Sequence, residues 1–304
     1  MAARLKFLDD HYFLFRRLHS LTGIVPIGVF LINHLLTNSS ILWGVFNTRA
    51  REYGEGAGPL GTGVATFQEE VTWLNELPLL LIIEITLWVS IAFHAVLGVY
   101  YARTGKFNNQ RYAYQDNWRY SLQRITGYIA IFFIFYHLAT LRWGWSFLVP
   151  GGATWSHHYA ASTLAMALRG GAEGITIGGL VVSLFYFVGI TSSVFHFANG
   201  LWTAAITWGL TISAGAQRRW GYACAAIGAG MMAMAWGALI GFVLLDPAEA
   251  RKVEDRLLGK EALIEPDPAG ELNGNDDGGN IRNAGGDESN GDESNGGSDG
   301  GNGG

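Results

Sequence analysis

Four histidines stand in stretches of sequence that are otherwise almost free of charge: His34, His94, His137 and His196. An imidazole in such surroundings is costly to desolvate, so each is a site candidate, serving as a hydrogen-bonded packing group, a proton relay or a metal ligand. Their neighbourhoods repeat. Arg17-Leu-His-Ser-Leu-Thr-Gly23 leads to His34, and Arg124-Ile-Thr-Gly127 leads to His137. Phe93-His94-Ala-Val-Leu-Gly98 and Phe195-His196-Phe-Ala-Asn-Gly200 share Phe-His-x-x-x-Gly, so the pattern along the chain is A, B, A, B. Cys224 is the single cysteine, which excludes an internal disulfide, a four-thiolate iron-sulfur cluster and a thiolate zinc site. A metal here must use histidine.

The elements that carry these side chains follow from hydropathy. Of 304 residues 49% are hydrophobic and 15% charged, and the charges cluster. Crossing a bilayer takes roughly 20 apolar residues, and runs of that kind occur at Leu18 to Asn47, Leu77 to Ala102, Ile125 to Leu141, Gly174 to Gln217 and Trp220 to Leu245. Only Glu84 interrupts the second. The third is short, but the aromatic stretch Trp143 to Val149 extends it past a snorkelling Arg142. A soluble fold would need a polar shell that this composition lacks. The expectation is an all-α integral membrane protein of five transmembrane helices, at about 18–43, 77–102, 122–147, 175–212 and 219–245. Residues 1–17 read as a cytoplasmic amphipathic N-terminus, 18–245 as the membrane domain and 246–304 as a polar tail, disordered from about 273. The first apolar run is too long for a secretory signal and lacks a small-residue cleavage pattern.

Basic residues set the expected orientation. Arg4, Lys6, Arg16 and Arg17, then Arg103, Lys106, Arg111, Arg119 and Arg124, then Arg218 and Arg219 mark one side; the opposite loops hold Arg49, Arg51, Arg142 and Arg169 among several glutamates. The N-terminus is therefore expected inside and the C-terminus outside. No lysine lies in any span, so a retinal Schiff base is excluded. No nucleic-acid partner is expected.

Depth sorts the histidines. At 1.5 Å per residue, His34 and His137 lie roughly 20 Å out from the inner ends of their helices, whereas His94 and His196 lie roughly 25 to 30 Å down from the outer ends of theirs. Two imidazoles share each leaflet. Facing imidazoles across a four-helix bundle are what a bis-histidine haem b needs, so helices one to four are expected to form a haem-binding bundle with two haem b. Gly98 and Gly200, one turn from His94 and His196, would leave room for the porphyrin. Zinc or copper fits poorly, because each depth offers two imidazoles and no nearby thiolate or carboxylate. Arg17, His19 and Ser20 at the inner end of the first helix are candidates for propionate contacts, with lipid phosphates as the competing reading for the arginines. His11, His157 and His158 read as surface residues. Glu84, the one acid inside a span, is a candidate for proton exchange at a quinone site, with a structural partner on the third helix as the alternative.

These segments resemble the diheme cytochrome b membrane-anchor subunit of succinate dehydrogenase and the related quinol:fumarate reductases. The resemblance rests on Phe15-Arg-Arg-Leu-His-Ser-Leu-Thr-Gly23 with Asn33-His34-Leu35, on Phe93 to Tyr100, on Leu122 to Gly127 with Tyr136-His137, and on Val194 to Trp202 with Thr207-Trp-Gly209. It covers about Phe13 to Leu245. It implies iron ligation by His34 and His137 at a distal haem and by His94 and His196 at a proximal one, with electrons passing from an iron-sulfur partner to a membrane quinone, menaquinone in two-haem five-helix members. Dicarboxylate chemistry would lie on a partner flavoprotein, since this chain has no dinucleotide fingerprint and no cluster cysteines. The implied setting is the cytoplasmic membrane of a prokaryote. The working direction, the quinone species, the haem potentials and any higher oligomer of the complex stay open, as does the role of residues 47–76. Two rivals differ in kind: a histidine-containing proton channel or transporter, and a quinol:cytochrome c type cytochrome b, in which two helices carry two histidines each.

Overall fold

The computed structural model describes residues 6–104 and 115–259. Arg4, Lys106, Arg111 and the acidic tail from 260 onward lie outside the described residues. Within them every regular element is helical, and five helices are long and apolar enough to cross a membrane. The chain is an all-α integral membrane protein. In chain order the helices that matter are α1 (Tyr12–Phe46), α2 (Gly61–Asn75), α3 (Leu80–Thr104), α4 (Trp118–Arg142), α5 (Ala160–Arg169), α6 (Ile177–Thr207), α7 (Ala214–Leu244) and α8 (Pro247–Leu257). The described part of the N-terminal lead-in is helical as well, from Lys6.

Local chemistry explains the helix limits. α1 is interrupted at Val25, because Pro26 has no N–H to continue the ladder. Thr176 and Ser213 cap α6 and α7, their side chains accepting from the N–H groups of Gly179 and Ala216. α4 ends in a π-helical turn, Leu138–Arg142, in which Trp143 N–H bonds the Leu138 carbonyl. The aromatic run after Arg142 therefore folds as a loop with a 3₁₀ turn at Ser146–Leu148, and does not prolong the span as expected. α6 stops at Thr207, where Leu210 and Thr211 N–H both turn back to the Ala205 carbonyl.

α1, α3, α4 and α6 form a ring in which each packs on the next, and α7 lies against α6 and the outer half of α1. α1 and α4 thus face each other across one diagonal, α3 and α6 across the other. α3 is the least embedded, burying only Leu87, Ser90 and Leu97 while Leu81, Val89 and Val96 stay more than 60% exposed. A face of that composition suits hydrocarbon.

The end of the ring opposite the N-terminus, outer in the orientation the arginines predict, carries a cap of α2, α5 and α8. Its core joins Val64, Phe67, Leu164 and Leu168 to Ile41 of α1, Phe242 of α7 and Val253 of α8. Residues 47–76, whose role the sequence leaves open, supply α2 to this cap. The first part of the polar tail, residues 247–257, folds as α8 on α2 and α5. Asp246 caps α8 by accepting from Ala248 and Glu249 N–H, and Pro247 stands at its first turn. High charge masked the helical spacing of Ala250, Val253 and Glu254, its buried face. Glu254, wholly buried, closes the N-terminus of α5 from another helix, accepting from Ala161 N–H at 2.8 Å, Ser162 N–H at 3.1 Å and the Ser162 hydroxyl. Burial pushes its carboxyl above the usual range, an effect that these donors partly offset.

Replacing Glu254 by Ala should leave two buried N–H groups unpaired at a cost of about 1–3 kcal/mol. Amide hydrogen exchange in α5 and α8 should accelerate in E254A, with E254Q closer to the parent because its carbonyl still accepts. Equal protection in all three would show that the cap does not depend on this contact.

Candidate functional site

The ring geometry sends the four intramembrane histidines to the bundle axis in two layers. His34 on α1 and His137 on α4 have ring centroids 5.7 Å apart, with planes at 81°. His94 on α3 and His196 on α6 have centroids 6.0 Å apart, with planes at 82°. Each pair spans one diagonal, so the imidazoles meet where four helices surround them. These are the partners that counting depth assigned.

The inner pair is docked by the backbone of the facing helices. His94 Nδ1 lies 2.9 Å from the His19 carbonyl oxygen, and His196 Nδ1 lies 2.9 Å from the Gln123 carbonyl oxygen. A carbonyl can only accept, so both Nδ1 atoms carry the proton and each Nε2 is left with its lone pair. Carbonyls inside a helix are normally hidden by the turn above. Here the residue four positions on is glycine: a Cβ at Gly23 would come 2.5 Å from His94 Cε1, and one at Gly127 would come 2.9 Å from His196 Cε1. The Thr-Gly pairs that open the repeated motif are therefore notches for the histidines of α3 and α6. Their threonines join in, since Thr22 and Thr126 hydroxyls bond to those same carbonyls of His19 and Gln123, at 3.0 and 3.4 Å.

Gly98 and Gly200 occupy a matching pair of places, but they border the side chains at the carbonyl-donating positions. A Cβ at Gly98 would stand 3.3 Å from His19 Cε1, and one at Gly200 3.6 Å from Gln123 Nε2. The outer pair is held more loosely. His137 Nδ1 is 3.4 Å from the Tyr186 hydroxyl, and Phe30 stacks on His34 at 5.3 Å.

Around the inner layer the expected anion-binding residues separate. His19 stacks on His94 at 3.9 Å, and its Nδ1 is buried without a partner. The Tyr101 hydroxyl, on a ring 5.7 Å from that of His19, is buried and unpartnered too. Arg16 lies over the Tyr101 ring, and Arg124 donates to the Tyr101 carbonyl at 3.2 Å. Arg17 and Ser20 turn instead to α6: Arg17 stacks on Trp208, and Ser20 accepts from Trp208 Nε1 at 2.7 Å. At the outer rim Glu84 is forked by Arg142 at 3.1 and 3.0 Å, a tie between α3 and α4 that the π turn brings into reach.

Two imidazoles per layer fit a haem. A porphyrin supplies the remaining iron ligands, and among the described residues no group of three or more His, Cys, Asp or Glu gathers to complete a protein-only site. The Nδ1–H to carbonyl bonds fix each ring and leave Nε2 free to ligate, as a metal-binding imidazole needs, and the buried, unpartnered His19 Nδ1 and Tyr101 hydroxyl are polar atoms that such a group could satisfy.

No family model matches the chain. Over 207 residues it is 35% identical to the succinate dehydrogenase cytochrome b558 subunit of Bacillus subtilis, covering 68% of this chain and 85% of that relative. The chain belongs to the succinate dehydrogenase cytochrome b subunit family.

For a subunit of this family, reading the sequence found the four histidines but missed the residues that seat two of them. The missed signal was a spacing: His19 to Gly23 and Gln123 to Gly127 each put a carbonyl and a glycine one turn apart, in segments already seen to repeat. Gln123, Arg124 and Asn199 stood inside the quoted motifs with nothing to mark what they touch, and Tyr101 carried no signal beyond being polar near a helix end.

Filling either notch should strain the protein. G23A and G127A are each expected to lose about 1–3 kcal/mol by overpacking, seen as a lower thermal midpoint in detergent. G230A is the control, because a Cβ there meets nothing within 4 Å. A parent-like midpoint for G23A and G127A would contradict the notch geometry.

Proposed function

We propose that this subunit holds two haem b, one between His94 and His196 and one between His34 and His137, and serves a succinate dehydrogenase that reduces membrane quinone, menaquinone by family resemblance. The observation that carries the reading is the pair of diagonal imidazole couples, the inner one with both Nδ1 protons given to backbone carbonyls. Haem bound there supplies reversible one-electron transfer between an iron-sulfur partner and the quinone.

The chain's own residues do the rest. His94 and His196 present bare Nε2 atoms because their other nitrogens are engaged. Gly23 and Gly127 let the rings come close to the helices behind them. Arg16, His19, Tyr101 and Arg124 offer donors on the inner side to carboxylate groups of the inner cofactor, and Arg17 and Ser20 brace that end of α1 against Trp208. The same arginine-rich end suits docking of the iron-sulfur and flavoprotein subunits, placing it at the cytoplasm in a prokaryotic inner membrane, with the C-terminal end outside. Quinone reduction takes up protons with electrons, and Glu84, positioned by Arg142 near the level of His137, is the group we assign to that exchange.

The relative's name, a succinate dehydrogenase subunit, favours the succinate-oxidising direction over fumarate reduction.

Dithionite-reduced membranes should show a b-type absorption band from two haems per chain. H34A or H137A should remove one haem and keep the other, while H94A or H196A should spare the outer haem and stop its reduction by succinate. E84Q should lower quinone turnover about tenfold or more with both haems in place, the scale of general acid-base loss. A colourless preparation would defeat the reading and favour a histidine proton channel. Unchanged turnover in E84Q would remove only the role of Glu84.

A further inference from the structure

Gln123, Asn199 and Arg119 form a polar chain between α4 and α6 that no part of the function above uses. Gln123 Nε2 donates to the His196 carbonyl at 3.0 Å, while His196 Nδ1 donates to the Gln123 carbonyl at 2.9 Å. The two residues therefore clasp each other, side chain to backbone in both directions. Asn199 Nδ2 donates to Gln123 Oε1 at 2.7 Å, and Arg119 Nε donates to Asn199 Oδ1 at 2.8 Å. The Arg119 guanidinium lies 3.8 Å over the Trp202 ring, and Trp202 Nε1 donates to the Gln217 carbonyl on α7 at 3.0 Å. From Arg119 to the His196 carbonyl the donors point one way, so each bond polarises the next.

Such an arrangement is costly to leave incomplete. Asn199 is only 4% exposed, and a buried amide that loses a partner keeps the full desolvation penalty. The matching position on the other side of the inner layer is built differently. There the residue that lends its carbonyl is His19, which leans on His94 by ring stacking at 3.9 Å and has its own Nδ1 unpartnered. Both imidazoles of the inner pair bond a backbone carbonyl, but the side chain of the residue that lends it is a stacked ring beside His94 and part of a bonded chain reaching the inner rim beside His196.

We propose that Arg119, Asn199 and Gln123 are positioning residues that fix the rotation of His196, and through it the relative orientation of the two imidazole planes of the inner layer. This rests on the two-haem reading. Ring orientation and the strength of the Nδ1–H bond set how an axial imidazole donates to iron, so the chain tunes the inner haem without touching it. The outer pair has no part in the network and serves as the internal reference.

The test uses the whole complex in membranes, with Q123L and N199L beside the conservative N199D and R119K. N199D keeps the acceptor for Arg119 but loses the donor to Gln123; R119K keeps the charge but loses the planar fork. The expected result is two haems per chain, with the midpoint potential and the low-spin EPR signal of the inner haem shifted and those of the outer haem unchanged. If Q123L or N199L does not accumulate, N199D and R119K decide by the same readings. An inner haem with parental potential and EPR signal in every variant that accumulates overturns the proposal while leaving the two-haem function standing. Absence of haem from the parent complex would instead overturn that function, and this proposal with it.

Discussion

A neutral imidazole inside hydrocarbon must give its N–H to something, and in this bundle the inner histidines give it to the backbone of the helix across the ring. Much of the geometry follows from that requirement. For His94 to reach the His19 carbonyl, and His196 the Gln123 carbonyl, α1 must approach α3, and α4 must approach α6, at the level of those residues. Close approach is possible only where the turn above the carbonyl lacks a side chain, at Gly23 and Gly127. Once both rings are seated, they form a couple across the diagonal of α3 and α6, with centroids 6.0 Å apart.

The repeat in the sequence is thus the trace of a two-fold structural principle. Each half of the ring pairs a helix carrying a Thr-Gly notch with a helix carrying Phe-His-x-x-x-Gly, and the notch receives the histidine of its own half. Iron ligation would then join the halves, because the partner of His94 is His196 and the partner of His34 is His137. Docking within halves and ligation between them would make the cofactors part of what holds the bundle together. The departures from symmetry carry information too. His19 and Gln123 hold equivalent places but differ in chemistry, one a stacked and unpartnered ring, the other an amide locked into a chain.

The outer end is built by other means. Here the histidines are further from backbone support, and the surrounding order comes from the cap of α2, α5 and α8, whose apolar faces cover the ends of α1, α6 and α7. A buried carboxylate, Glu254, stands where an N-cap residue of α5 would otherwise serve, which ties the segment after the last span into the cap. The cap leaves α3 least enclosed, and the forked contact between Glu84 and Arg142 joins that helix to α4 at the rim. An exposed pair of this kind adds little stability, so its contribution is one of position.

By itself the sequence determined that the chain crosses a membrane in five helices, because apolar runs of that length have one physical outcome. It also determined which histidines share a depth, since rise per residue is constant along a helix. It could not show that α8 packs, because its charge outweighs its few buried apolar positions, nor that the third span ends in a π turn, because a shift in hydrogen-bond register leaves no mark in composition. It pointed to Gly98 and Gly200, which neighbour the histidines in sequence, and gave no sign that Gly23 and Gly127 neighbour them in space. Only the tertiary structure decided that Gly23 and Gly127 seat the rings and that Gln123, Asn199 and Arg119 hold one of them. Those contacts join residues far apart in the chain, and their partners are set by how the helices meet around the axis.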